Sequence, residues 1–299
     1  MSLREELSKL SGLSFHPDED LTSYTTFRLS SQGDLIEVET EEGLRSALLV
    51  LKKYKKDFLV VGWGANQILP SVNEKIVIHL KFAFYQNYLL EARESYNLPA
   101  SVGLNYLTGH AVKFGLKGWE VFTGIPASLG GAIYMNAGTN LGEIGPLIQS
   151  VRLMNSEGVI REEKIQSQSF SYRKNHFVKE DEIILSATMI HLGQDEAITE
   201  KIKTYMDFRR KSQPLATKNC GCVFKNPMKE LPAGKLIDLL GLKDFSVGNL
   251  RVSPKHGNFM ENQSGATWDQ FKALVEAINF QANHFYGIEF ELEVKIPYD

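Results

Sequence analysis

The chain has 299 residues, 43% of them hydrophobic and 23% charged, with a formal net charge of -3. That length exceeds what one hydrophobic core usually serves, so two or three domains are expected. The near-neutral charge gives no general pull toward nucleic acid or an acidic membrane. No stretch reaches the roughly 18 continuous apolar residues of a membrane span, and "MSLREELSKLSGL" at the start lacks the apolar core of a secretory signal. Two cysteines in so long a chain make no disulfide framework. The expectation is a reduced, cytoplasmic, monomeric protein.

The elements follow in chain order. "DLIEVET" reads as a strand, "EEGLRSALLVLKKYKKD" as a helix with Leu44, Leu48 and Leu51 toward one face, and "FLVVG" as a short buried strand. The basic run Lys52-Lys53-Tyr54-Lys55-Lys56 fits the solvated side of that helix. From about residue 76 the apolar runs shorten ("YNLPASVG", "SVRLMN", "EIILSATMIHL"), as in a strand-rich unit with a few helices. A helix over "EAITEKIKTYMDFRRKSQPL" leads into the last third. There a terminal helix starts at Thr267, with Gln270 completing a capping box. Phe271, Leu274, Val275, Ile278, Ala282 and Phe285 share one face of it, and Gly287 ends it. Alternation in "IEFELEVKI" predicts a closing strand with Glu289, Glu291 and Glu293 on its charged face. The expected division is 1–75, 76–195 and 196–299.

Both cysteines lie in "KNCGCVFKNP", as Cys220 and Cys222. C-x-C spacing suits neither a tetrahedral zinc site nor an unstrained disulfide, which leaves two small buried residues or one reactive thiol. Two glycine-rich segments carry more. "VVGWGANQIL" puts Gly62 and Gly64 directly after a buried strand, yet Gln67 breaks the dinucleotide fingerprint and no G-K-[ST] follows. "TGIPASLGGAIYMNAGTNLGEIG" holds six glycines and almost no charge. It is too apolar for a linker and too glycine-rich for a buried strand, so close backbone approach to a large ligand remains. Two such loops suggest a cofactor of dinucleotide size.

"GWGAN" resembles the G-x-G-[SA]-N loop of flavoenzymes of the vanillyl-alcohol-oxidase (PCMH) type. "GIPASLGGAIYMNAG" resembles the second FAD loop of one family among them, the UDP-N-acetylenolpyruvoylglucosamine reductases (UDP-N-acetylmuramate dehydrogenases). "YTTFRL", "SYRKNHF", "QPLATKNCGCVFKNP", "AGKLIDLLGLK", "HGNFMEN" and "GIEFELEVKI" follow that family's order, over about residues 22 to 296. Departures are "RLSSQGD" after "YTTFR", Ala127 where glycine is usual, and Lys174 and His176 in the tail of Y-R-x-S. The compactness of the chain matches the family's shorter type.

The resemblance implies an α+β fold: a two-subdomain FAD-binding fold plus a C-terminal α/β substrate-binding domain. It implies FAD binding by Gly62, Trp63, Gly64, Ala65, Asn66 and Gln67, by Ile125, Pro126, Ala127, Ser128, Gly130, Gly131, Asn136 and Gly138, and by Ile184. That family, with NADPH as co-substrate, reduces the enolpyruvyl double bond of UDP-N-acetylglucosamine enolpyruvate to the lactyl ether, in peptidoglycan precursor synthesis. The chemistry needs a cation for charge building on the substrate carboxylate, a hydrogen-bonding partner for that carboxylate, and a proton donor. By resemblance these are Arg173, Glu293 and Cys222, the last standing where serine is most common. Tyr172, Lys225 and Asn226 are implied in substrate binding, while Cys220 and His256 take structural roles. No metal is expected. The motifs leave room for another FAD-dependent oxidoreductase of the same fold, an oxidase, or for a non-catalytic binding protein.

Overall fold

The structure, a computed structural model, describes residues 1–228 and 230–297. The chain divides into two compact units: residues 1–17, 34–62 and 75–206 form the first, and residues 18–33, 63–74 and 207 onward the second. Residues 18–33 and 63–74, inside the expected 1–75 subdomain, thus belong with the C-terminal third.

The first unit opens with α1 (Leu3–Leu7), β1 (Leu13–Asp20), β2 (Gln32–Val38), α2 (Glu41–Lys53), β3 (Phe58–Val61) and β4 (Val72–Leu80). Helix α2 forms where expected. Thr40 caps it by accepting from the Gly43 N–H, Glu41 and Glu42 occupy its positive end, and Lys52 and Lys53 its negative end. Its buried stripe of Leu44, Ala47, Leu48 and Leu51 joins Ile36, Val38, Ile76 and Ile78 in one core. The strands order as β1-β2-β4-β3. β3 and β4 run parallel, from Phe58 opposite Ile76 to Val61 opposite His79. Parallel neighbours cannot be joined by a tight turn, so the chain leaves the sheet at Gly62 and returns at Val72. That excursion is the "GWGAN" segment.

A second core in the same unit is built on β5 (Ser95–Pro99), α3 (Leu104–Phe114), α4 (Leu129–Tyr134), the short pair β6 (Gly138–Thr139) and β7 (Gly142–Glu143), β8 (Ile148–Met154), β9 (Ile160–Lys164), the hairpin β10 (Phe170–Ser171) and β11 (Lys174–Asn175), and β12 (Ile183–Ile190). The sheet order is β5-β12-β8-β9, all antiparallel. Central β12 is buried along most of its length, as a strand covered on both faces must be. Tyr96, Leu107, Trp119, Phe122 and Ile133 fill this core.

Helix α5 (Ile198–Ser212) carries the chain across the unit boundary. The second unit adds α6 (Ala233–Leu239), the antiparallel β13 (Ser246–Val247), β14 (Leu250–Val252) and β15 (Met260–Asn262), and α7 (Trp268–Tyr286). Phe27, Ile68, Val223, Phe224, Leu236, Phe271, Leu274, Ile278, Phe290 and Val294 make its core. The capping box of Thr267 and Gln270 and the Gly287 terminus of α7 form as the sequence predicts. Phe285 does not join the buried face: it is 64% exposed, because the last turn of α7 runs beyond the core that Phe271 to Ala282 cover.

The closing strand is also corrected. "IEFELEVKI" makes only isolated bridges, Leu292 to Phe224 and Lys295 to Gln67. The segment changes neighbour within three residues, so no continuous ladder develops. The alternation survives in burial alone: Phe290 and Val294 are buried, Glu289 and Glu291 exposed, and Glu293 half-buried.

Candidate active site

In the first unit the apolar glycine loop runs from Gly124 into β6. Ser128 is its fixed point. It is 4% exposed, caps α4 toward the Gly131 N–H, and its Oγ stands where a Cβ on Gly62 would be. The end of β3 and the start of α4 are therefore held edge to edge. The N–H groups of Ala127, Leu129 and Gly130 donate to the carbonyls of Ile125, Val102 and Ala100, so these three amides build the loop itself. Gly131 is different: a Cβ there would meet only Ser128 Oγ, at 3.4 Å. Ile125 and Ala127 stay half-buried and Pro126 exposed.

Asn136 ends the loop with φ 44°, a conformation that only a few non-glycine residues adopt. Its Nδ2 donates to Glu143 Oε2 (2.8 Å) and to the Ser171 carbonyl (3.0 Å), and its Oδ1 accepts from the Gly145 N–H (3.1 Å). Its side chain thus organises the loop from behind. Ile184 likewise sits in the core, 6% exposed, on the strand against which α4 packs.

Tyr172 and Arg173 are the two turn residues of the β10–β11 hairpin. Arg173 has φ 56°, a strained choice for a long side chain of the kind that clusters at functional sites. Its Nη2 donates to the Gly138 carbonyl at 3.0 Å, and its guanidinium lies 5.2 Å from the Tyr172 ring centre. Asn175 Nδ2 donates to the Tyr134 carbonyl (2.8 Å), pinning the hairpin to the end of α4. Arg173 and the second glycine loop are thereby one rigid neighbourhood.

In the second unit three segments converge: 63–68, 219–226 and 290–295. Gly64 has φ 61°, and a Cβ on it would overlap the Tyr24 carbonyl. Its own carbonyl accepts from Thr26 N–H (3.2 Å), while Thr26 Oγ1 donates to the Asn219 carbonyl (2.8 Å). "YTTFRL" thus ties the first glycine loop to the cysteine segment. Trp63 remains 38% exposed.

Cys222 is half-buried and bridges Phe259. Cys220 is buried, and burial pushes its thiol well above the usual range. Val223, next to Cys222, accepts from the Glu293 N–H at 2.8 Å. Of the three closing glutamates, Glu293 is the one that is not exposed. Glu291 is spent on Lys225, at 2.8 Å, which holds its carboxyl below the usual range. Asn226 Oδ1 accepts from the Ala233 N–H at the start of α6. Half-buried His256 has its pKa lowered by desolvation, and its Nδ1 accepts from the Asn258 N–H (3.2 Å).

Sequence reasoning left out two supporting asparagines in "HGNFMEN". The Asn258 carboxamide pairs with both backbone groups of Phe224, accepting from its N–H and donating to its carbonyl, each at 2.8 Å. Asn262 donates to the Phe27 and Arg28 carbonyls and accepts from the Ala266 N–H. The available signal was amide side chains embedded among apolar residues, which burial obliges to bond to backbone.

The FAD binding domain family matches residues 35–163, and the C-terminal domain of UDP-N-acetylenolpyruvoylglucosamine reductase matches residues 213–297. The reductase of Heliobacterium modesticaldum is 35% identical over 93% of this chain and 89% of its own. That of Chlamydia pneumoniae is 33% identical over 93% and 90%. The crystal structure of the Thermus caldophilus reductase superposes with a TM-score of 0.77 at 29% identity, covering 95% of this chain and 98% of that one. Fold and family models define an FAD-binding flavoprotein with an added C-terminal domain. The chain belongs to the UDP-N-acetylenolpyruvoylglucosamine reductases, FAD-dependent oxidoreductases that use NADPH in peptidoglycan precursor synthesis. Among the described residues no helix is long and apolar enough to cross a membrane, and no cluster of ligating side chains suits a metal.

The residues present fit FAD. Ile125, Pro126 and Ala127 offer incompletely buried apolar surface for a flat ring system. At Gly131 a Cβ would meet only Ser128 Oγ, which leaves room at the start of α4.

Proposed function

We propose that this chain reduces the enolpyruvyl group of UDP-N-acetylglucosamine enolpyruvate, with Arg173, Cys222 and Glu293 as its catalytic residues. The observation that carries the assignment of the acid pair is the backbone pairing of Glu293 with Val223, directly beside Cys222. Bound FAD supplies the hydride, taken from NADPH, for the methylene carbon. The residues holding it are Gly62 to Ala65, Gln67, Ile125 to Ser128, Gly130, Gly131 and Gly138, with Asn136 and Ile184 behind them.

Arg173 holds the substrate carboxylate through its planar guanidinium and offsets the negative charge that builds there. Glu293 is the hydrogen-bonding partner of that carboxylate. Cys222 gives its proton to the adjacent carbon; a thiol, with a reference pKa of about 8.5, does this far more readily than an alcohol. Tyr172 lines the same place, and Lys225 and Asn226 meet the nucleotide end. Lys225 reaches that end by exchanging its Glu291 partner for phosphate. Functionally, 1–75 and 76–195 serve the cofactor and 196–299 the sugar nucleotide. The protein works as a cytoplasmic monomer, which light scattering on the purified protein checks.

A stopped-flow trace tests the function. NADPH should bleach the flavin absorbance, and the enolpyruvyl nucleotide should restore it faster than oxygen does. Recovery by oxygen alone at a catalytic rate would instead identify an oxidase.

A further inference from the structure

Both backbone groups of Glu293 are hydrogen-bonded. Its N–H donates to the Val223 carbonyl (2.8 Å), and its carbonyl accepts from Asn66 Nδ2 (3.2 Å). The neighbouring bonds run between the same two segments: Lys295 N–H to the Asn66 carbonyl (2.9 Å) and Ile68 N–H to the Lys295 carbonyl (3.0 Å), around the parallel bridge of Gln67 with Lys295. Because 288–296 forms no regular ladder, a few discrete bonds must set its register. The orientation of the two peptides flanking residue 293 in turn sets where the Glu293 side chain points.

We infer that Asn66 is a positioning residue for Glu293: its carboxamide fixes the carbonyl of the catalytic acid's own residue, locking the first glycine loop and that acid in one register. The inference rests on the role proposed above for Glu293. It separates Asn66 from the residues whose work is to hold the cofactor. A hydrogen bond to a carbonyl needs a donor, so Asn66→Asp, which matches the side chain in size, loses the bond and sets one oxygen against another. Displacement of a reacting group by an ångström costs up to about 100-fold in rate.

The test uses the full chain carrying Asn66→Asp or Asn66→Ala. FAD affinity, read by quenching of flavin fluorescence on titrating the apoprotein, is expected to stay within about threefold of wild type. Bleaching by NADPH should change as little, while flavin recovery on adding the enolpyruvyl nucleotide slows about 10- to 100-fold in both variants. Parallel loss of FAD affinity and both half-reactions would overturn the inference and return Asn66 to the cofactor. Unchanged recovery would overturn it as well. Glu293→Gln distinguishes the underlying reading: if that variant recovers at the wild-type rate, the role of Glu293 itself is wrong, whatever Asn66 does. The isosteric Asp variant, checked by thermal melting of the apoprotein, guards against simple misfolding of the Ala variant.

Discussion

Cys220 and Cys222 are separated by one residue and end in different surroundings. In a regular strand, residues i and i+2 point to the same face, and both thiols would share one environment. Gly221 prevents this with φ 78°. Cys220 turns into the core, where burial suppresses its ionisation, and Cys222 stays half-buried against Phe259. Cys222→Ser is expected to stay active. Cys222→Ala should lose about 10²- to 10⁴-fold in turnover, the span general-acid groups contribute. Its flavin should still be bleached by NADPH at the wild-type rate. Stopped-flow measurement of the two half-reactions decides; impaired bleaching would remove Cys222 from the proton-donor role.

Among the elements, the excursion between β3 and β4 is the most constrained. Its glycine-rich character invites a ligand-binding explanation, yet Gly64 is required first by protein packing, since Tyr24 and Thr25 fill the space of a side chain. Gly64→Ala combines this overlap with a strained φ. It should destabilise the apoprotein by about 1–3 kcal/mol and lower its FAD content, measured by urea unfolding and by the flavin-to-protein absorbance ratio. Helix α7 provides the contrast. Thr267→Ala removes one cap and should lower stability by about 1 kcal/mol with FAD affinity unchanged, because the cap serves only the helix end. Both effects belong to segments whose local pattern was legible. Capping box, apolar stripe and terminal glycine are local signals, and α7 obeyed them until Phe285 outran its core. "IEFELEVKI" looked equally clear, but a strand requires a partner along its length, and alternation within one segment carries no information about the partner.

Across the whole molecule, histidines withdrawn from solvent make stability fall in acid. His110 is 4% exposed, its Nε2 lies 2.9 Å from the Tyr96 hydroxyl, and aromatic rings of Tyr96, Phe114 and Trp119 surround it. Burial lowers its pKa, as it does for His256. Unfolding lets each reach the ordinary value of about 6.5, so below that pH the unfolded chain takes protons that the folded chain refuses. Stability should therefore fall as pH drops below about 6.5, by up to about 1.4 kcal/mol per pH unit for each histidine, until the depressed folded pKa is passed. Urea unfolding between pH 7.5 and 5.5 measures the slope, and His110→Phe should flatten its share. FAD acts in the opposite sense: binding only the folded chain, it should add about 2.7 kcal/mol at 100 times its dissociation constant.

The sequence by itself determined the helices, most strands, the two glycine loops and, through ordered motifs, the family and its candidate residues. These are properties of local periodicity and of fixed residue types. Tertiary structure alone decided which of three alternating glutamates is withdrawn from solvent, which of two thiols stays accessible, and that 18–33 and 63–74 fold with the C-terminal third. Each of those outcomes depends on contacts between segments tens to hundreds of residues apart, such as Asn66 with Glu293 and Thr26 with Asn219. Burial and backbone pairing across such separations are set by packing, and no periodicity within a single segment encodes them.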